Sequence, residues 1–329
     1  MQIEYAPFCR QISLKNAKTI FTERQGIYLR ARNGAQSEWA YGEAAPLEGF
    51  SRESVSDCLS EISEPATRDV LTETIARGTG GERLLPSVRF AAESIFFNVR
   101  HTESKNRLKL SCLIGGFPDP ELQKAAGIKA IDHGFLNLKI KIDSNALYWL
   151  DDLLSHLSAA GENKVLFRLD ANGSLTTETL AEIQNKISTQ NMARIEYIED
   201  PYSGFKAGQH KIPLAIDQGL EFGDFSSGSF TLIVKPMVQF GLIQLQKILP
   251  EAHARGMKIV FSSSLETEIG LMALRNFART FANLELAHGL ATAGLLADSE
   301  MGDQPIITKA EVLSEKTMVM LNKLNWRAI

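Results

Sequence analysis

A chain of 329 residues with 44% hydrophobic content can bury a large core, and it is long for one compact unit unless that unit is a barrel. A formal net charge of −4 gives no reason to expect nucleic acid or an anionic membrane surface as partner, so an anionic ligand has to be met by a local group of cations. Cys9, Cys58 and Cys112 are scattered without metal-type spacing, and Met1 to Pro7 carries no charged leader ahead of an apolar run, so the expectation is a soluble protein of the cytoplasm with reduced thiols.

Up to about residue 105 the chain mixes strand-like and helix-like pieces without a steady period, as a small α+β domain would. Gly26 to Arg32 alternates, Asn33-Gly34 is a tight-turn dipeptide, and Glu38 to Glu43 resumes the alternation, which predicts a β-hairpin. A Pro/Gly loop follows from Ala44 and ends at Ser51, read as a helix cap with Ser54 three residues on and Glu53 in the first turn. Helices are predicted through about Arg77 and again from Ser87 to Asn98, separated by Gly78-Thr79-Gly80-Gly81.

From Leu108 the texture becomes a regular alternation of short apolar runs and amphipathic helices, with one βα unit per roughly 20 to 35 residues. The runs are Leu108 to Ile114, Leu136 to Ile142, Val165 to Leu169, Ile195 to Ile198, Ile212 to Ile216, Thr231 to Val234, Lys258 to Phe261 and Leu284 to Ala287. Helices are predicted at Pro120 to His133, Ala146 to Ala160, Thr176 to Thr189, Leu242 to Arg255 and Glu268 to Phe281. Helices between strands imply parallel pairing, and eight units match a closed barrel. An open doubly wound sheet is the alternative, but Gly115-Gly116-Phe117 does not supply its glycine fingerprint.

In a βα barrel, functional side chains come from the C-terminal strand ends. Those ends read Leu169-Asp170, Ile198-Glu199, Ile216-Asp217 and Val234-Lys235, preceded by Lys139 and Lys141 on one face of their strand. Taken singly, each has a plain structural reading: a wet strand face, a helix-capping loop at Asp170-Ala171-Asn172-Gly173, or an acidic turn. In strand order they form a set. Three acids converging on one barrel mouth need a cation among them, and all-oxygen ligation favours Mg²⁺. The chemistry that calls for such a set is proton removal from carbon beside a carboxylate, with Lys141 as base and its pKa pushed down by Lys139, Lys235 and the metal.

Together, Lys139-x-Lys141, Asp170-Ala171-Asn172, Ile198-Glu199-Asp200-Pro201, Ile216-Asp217 and Val234-Lys235-Pro236 resemble the enolase superfamily, in its muconate-lactonising subgroup, over nearly the whole chain. Within it, Gly42 to Ser51 and the run Phe261 to Glu266 resemble segments of the o-succinylbenzoate synthase family. The resemblance implies a modified (β/α)7β TIM-type barrel of residues 106–300, an N-terminal α+β capping domain of residues 1–105, and a tail of 301–329 packing back on one of them.

It further implies that Asp170, Glu199 and Asp217 bind Mg²⁺, with Mn²⁺ as a substitute. Lys141 would abstract the proton of 2-succinyl-6-hydroxy-2,4-cyclohexadiene-1-carboxylate and then assist loss of the hydroxyl, giving o-succinylbenzoate for menaquinone synthesis. Lys235 would stand opposite as a fixed cation, Lys139 would tune Lys141 and help hold the substrate carboxylate, and Ser262, Ser263 and the backbone at Gly289 would receive the succinyl carboxylate. Gln218 stands where the family tends to carry an acid, and Ala291 where an acid often follows Gly-Leu. The same two lysines could run racemisation of N-acyl amino acids or epimerisation of dipeptides, and a silent ligand-binding barrel is the non-enzymatic alternative. A monomer is compatible with the sequence.

Overall fold

The computed structural model describes residues 1–15, 20–99, 106–115, 118–204, 211–217, 230–281, 286–296, 299 and 301–329. β1 (Gln2–Lys15) and β2 (Ile20–Arg32) run antiparallel from Gln2↔Arg32 to Lys15↔Ile20, and β3 (Ala40–Ala44) pairs with β2 on its other side. The predicted hairpin is therefore β2–β3, turning at Gly34 with φ +88. β1 carries no clear period in the sequence because its alternation breaks at Ala6-Pro7. Ile3 and Tyr5 face the N-terminal core, whereas Phe8 faces the barrel side of the molecule.

α1 (Val55–Ser63), α2 (Pro65–Arg77) and α3 (Pro86–Val99) cover the sheet. The first of these starts later than expected. Its cap is Ser54, which forms a capping box with Asp57, whereas Ser51 accepts the Leu47 amide and Glu53 accepts the backbone and hydroxyl of Ser87.

The barrel runs β4 (Leu108–Leu113), α4 (Pro120–Asp132), β5 (Asn137–Lys141), α5 (Leu150–Ala160), β6 (Leu166–Asp170), α6 (Thr177–Lys186), α7 (Thr189–Met192), β7 (Ile195–Glu199), β8 (Leu214–Ile216), β9 (Thr231–Val234), α8 (Gly241–Ala254), β10 (Lys258–Phe261), α9 (Glu268–Ala278) and β11 (His288–Ala291). Its strands pair parallel in the order β10-β9-β8-β7-β6-β5-β4-β11. A parallel bridge Ser262↔Gly289 closes the ring between β10 and β11. This is the TIM-type barrel with an antiparallel N-terminal domain that the sequence predicted.

The last strand is displaced from its predicted place at Leu284 to Ala287. Residues 284 and 285 lie outside the described residues, and pairing with β4 is made by His288 and Ala291. His288 breaks the apolar pattern, yet its buried ring accepts the Phe261 amide at 3.0 Å. Burial and the Arg168 charge hold that ring neutral, with its pKa lowered to about 3.

Beyond the barrel, β12 (Ile306–Ile307) adds antiparallel to β4, α10 (Glu315–Asn322) follows, and β13 (Arg327–Ala328) pairs with β1. No helix among the described residues is long and apolar enough to cross a membrane.

Candidate active site

Register levels the strand ends. Lys141 pairs with Asp170 and Asp170 with Glu199, so the functional positions of three neighbouring strands stand at one height; Glu199 pairs with Ala215, and Asp217 follows two residues further along. The period of two then sets what lies beneath. Tyr197, Ala215, Ile233 and Val260, each two residues before Glu199, Asp217, Lys235 and Ser262, form a buried apolar plug inside the ring. On β5, Leu138 and Ile140 are fully buried outside the ring while Lys139 and Lys141 share the other face.

One cleft is lined by Lys139, Lys141, Asp170, Asp217, Lys235, Ser262, Ser263 and Gly289, with Leu47 and Phe50 contributed by the N-terminal domain. Glu199 sits just behind it, 1% exposed, held by the Lys139 ammonium at 2.8 Å. Lys139 also reaches Asp170 at 2.7 Å, and Lys141 donates to Asp170 at 2.6 Å and to the Asn172 amide oxygen at 2.7 Å. Lys235 pairs with Asp217 Oδ2 and lies 5.5 Å from the centre of the Phe50 ring. The structure thus brings the predicted acids and lysines to one mouth.

Among the described residues no three acidic, histidine or cysteine side chains stand at the spacing of a formed metal site; the ammoniums neutralise the carboxylates instead. The donor set nevertheless fits a hard cation. Asp170, Glu199 and Asp217 are all buried, and Asp217 Oδ1 has no hydrogen-bond partner. Burial, with the neighbouring Asp170 charge, pushes Glu199 up to about 8. Burial would raise Asp170 as well, but the Lys139 and Lys141 ammoniums outweigh it and hold that carboxyl well below its ordinary range. Burial disfavours the charged Lys139, and Asp170, Glu199 and Asp217 more than offset it, so its pKa rises.

The two serines differ. Ser263 donates to buried Glu266 at 2.5 Å and accepts from Thr292 at 3.0 Å and from the Leu265 amide at 2.9 Å, so its hydroxyl proton is already committed. Gly289 lies against Ser262: a Cβ there would stand 3.2 Å from the Ser262 hydroxyl, and Gly289 O accepts the Ser263 amide. Ala291 lines the same cleft, while Gln218 lies outside the described residues.

Four supporting residues were not anticipated. Gln123 on α4 grips Lys141 by both its peptide groups, accepting from its N–H and donating to its C=O at 2.9 Å each. Asn172 meets Lys141 from a left-handed conformation, φ +47; the motif Asp170-Ala171-Asn172 contains it without assigning it this contact. Asp200 accepts the Asp217 amide at 3.1 Å. Arg168, two residues before Asp170 and 1% exposed, donates to Glu196 and Ser111. Only the period of two could have flagged Arg168, and its place inside an apolar run masked it.

No family model matches the chain. The o-succinylbenzoate synthase of Salmonella dublin is 27% identical over 269 residues, covering 78% of this chain and 79% of the relative. That of Escherichia coli O81 (strain ED1a) is 27% identical over 297 residues, covering 86% and 87%. This chain resembles the o-succinylbenzoate synthases. Among solved structures, the o-succinylbenzoate synthase of Thermosynechococcus elongatus BP-1, with Mg in its active site, superposes with a TM-score of 0.71 at 20% identity over 98% of this chain and 99% of that one. The dipeptide epimerase of Enterococcus faecalis V583, with Mg and L-Leu-L-Tyr, gives 0.77 at 16% identity, covering 94% and 97%. These structures share the fold. The likeness in sequence is to enzymes of the kind whose segments the motifs resemble, and the likeness in structure is one of fold.

Proposed function

We propose that the protein is an o-succinylbenzoate synthase, a Mg²⁺-dependent carbon–oxygen lyase of the menaquinone route, acting in the cytoplasm on 2-succinyl-6-hydroxy-2,4-cyclohexadiene-1-carboxylate. The observation that carries this reading is a single cleft with Lys141 on β5 and Lys235 beyond β9, backed by buried Asp170, Glu199 and Asp217. Those three acids would hold the metal, which when bound supplies positive charge to the substrate carboxylate as its α-proton leaves.

The chain's own groups account for the rest. The neutral Lys141 amine takes the proton from the ring carbon bearing the carboxylate. Its ammonium then returns that proton to the departing hydroxyl on the same face, so C–H and C–O bonds break, water leaves and the ring becomes aromatic. Lys235, across the cleft, stays charged and stabilises the anion as it develops. Lys139, hydrogen-bonded to Asp170 and Glu199, orders the acids, and Ser262 beside Gly289 offers its hydroxyl to the succinyl carboxylate. We also propose that the chain divides at about residue 105 into capping and catalytic domains, with 301–329 as a tail.

A second reading, racemisation or epimerisation at a carbon beside a carboxylate, is favoured by the pair Lys141 and Lys235, which could serve opposite faces of one carbon. Incubation of the purified chain with the cyclohexadiene substrate and Mg²⁺ or Mn²⁺ separates the two. Metal-dependent formation of o-succinylbenzoate supports the lyase. Solvent deuterium entering N-succinyl amino acids or dipeptides, without dehydration of the cyclohexadiene, supports the alternative and overturns the first.

A further inference from the structure

Arg24 lies on β2, away from the metal-binding acids, and is 4% exposed. Its guanidinium donates to five backbone carbonyls: Gln25 and, on two separate loops, Ala45 and Pro46 of the N-terminal domain and Ser264 and Leu265 of the barrel. The contacts to Pro46 and Leu265 are 2.7 and 2.9 Å. Both loops feed the cleft. The first leads into Leu47 and Phe50, and the second carries Ser263 and Leu265 itself. Leu265 is held at φ +64, a conformation costly for a branched side chain, by Arg24 on its carbonyl and Ser263 on its amide. The buried carboxylates Glu43 and Glu266 lie near enough to favour the Arg24 charge against the cost of its burial, without an ion pair that would divert its donors.

We propose that Arg24 is a positioning residue: it ties the N-terminal loop carrying Leu47 and Phe50 to the barrel loop at Ser263–Leu265, and so sets the width of the cleft at the end that takes the substrate's side arm. A fork of five donors can serve two loops at once; a lysine ammonium is a point charge that cannot span them. Misplacing a wall of the cleft weakens binding before it touches the proton transfer.

The kinetic part of the test rests on the proposed function. In folded Arg24→Lys, KM for the cyclohexadiene substrate is expected to rise about tenfold or more with kcat changed far less, and Arg24→Gln should be worse, since lost uniform binding raises KM alone. An unchanged KM, or a fall in kcat tracking only the folded fraction, overturns the proposal. A second readout needs no substrate. The amides of Phe50, Ser51, Ser264 and Leu265, hydrogen-bonded within the two loops, should exchange with deuterium about tenfold faster in Arg24→Lys while those of residues 27–32 keep their protection. If wild-type protein leaves the cyclohexadiene untouched, the function reading falls and this exchange pattern decides alone; uniform change or none overturns the positioning role. If neither variant folds, the wild type decides. The four loop amides should open as one unit with a common opening free energy, and separate openings overturn the proposal.

Discussion

At the scale of the single residue, Lys141 is the side chain on which the proposed chemistry turns, and its surroundings explain how it is aimed. The backbone is pinned by Gln123 and the ammonium rests on Asp170 and Asn172. Asn172 is a neutral acceptor, which orients the amine without adding a further anion to it. Lys141→Ala is expected to lower turnover by about 10²–10⁴-fold, the usual contribution of a general acid–base. The fold should survive, because the truncated atoms lie in the cleft and Lys139 remains to neutralise Asp170. Lys141→Arg should be equally inactive, since a guanidinium keeps its proton at neutral pH. Steady-state rates beside a thermal melt check this: near-wild-type turnover in either variant removes Lys141 from the role of base.

At the scale of the element, the N-terminal domain is fastened to the barrel through helix ends. Glu43 of β3 accepts the Thr267 amide at 2.9 Å, the Thr267 hydroxyl at 2.6 Å and the Gly270 amide at 2.9 Å, satisfying the start of α9. Glu93 of α3 does the same for α8, accepting the Leu242 and Ile243 amides. Both carboxyls are pushed up to about 7 by burial, which outweighs the hydrogen bonds they accept. The folded chain therefore binds these protons more tightly than the unfolded one. Their contribution to stability is complete below the unfolded carboxylate range, about 4.3, and is lost as pH rises to about 7 and beyond. Urea unfolding at pH 5 and pH 8 should show Glu43→Gln losing less stability over that interval than wild type, by on the order of 1–3 kcal/mol. An identical pH dependence in the two proteins would show that the carboxyl is ionised throughout.

At the scale of the whole molecule, what was legible in the sequence followed from burial. Short parallel strands read as apolar runs, so seven of the eight barrel strands lie where predicted to within two residues at each end, while the eighth, opened by His288, does not overlap its predicted run. The strand ends were legible because a carboxylate or lysine directly after an apolar run is placed by the fold rather than by local preference. What the sequence hid was long-range. The two glutamates capping distant helices and Arg24 spanning two loops join residues whose partners no local pattern names.

The same view of the molecule frames its response to metal. Three buried acids are held at one mouth by lysines, and Asp217 Oδ1 has no partner, so a divalent cation should bind the folded chain and not the unfolded one. Binding of that kind stabilises by mass action, about 2.7 kcal/mol at a hundred times the dissociation constant. Mg²⁺ should therefore raise the melting temperature of wild-type protein by a few degrees in a saturable way. Asp217→Asn keeps the size of the side chain and removes the ionisable oxygen, so it should abolish most of that increment and weaken the Mg²⁺ dependence of turnover together. Calorimetric melts across a Mg²⁺ titration, with Ca²⁺ and K⁺ as controls, decide the matter. An equal shift in wild type and Asp217→Asn would take Asp217 out of the metal site, and a shift matched by K⁺ would reduce the effect to ionic strength.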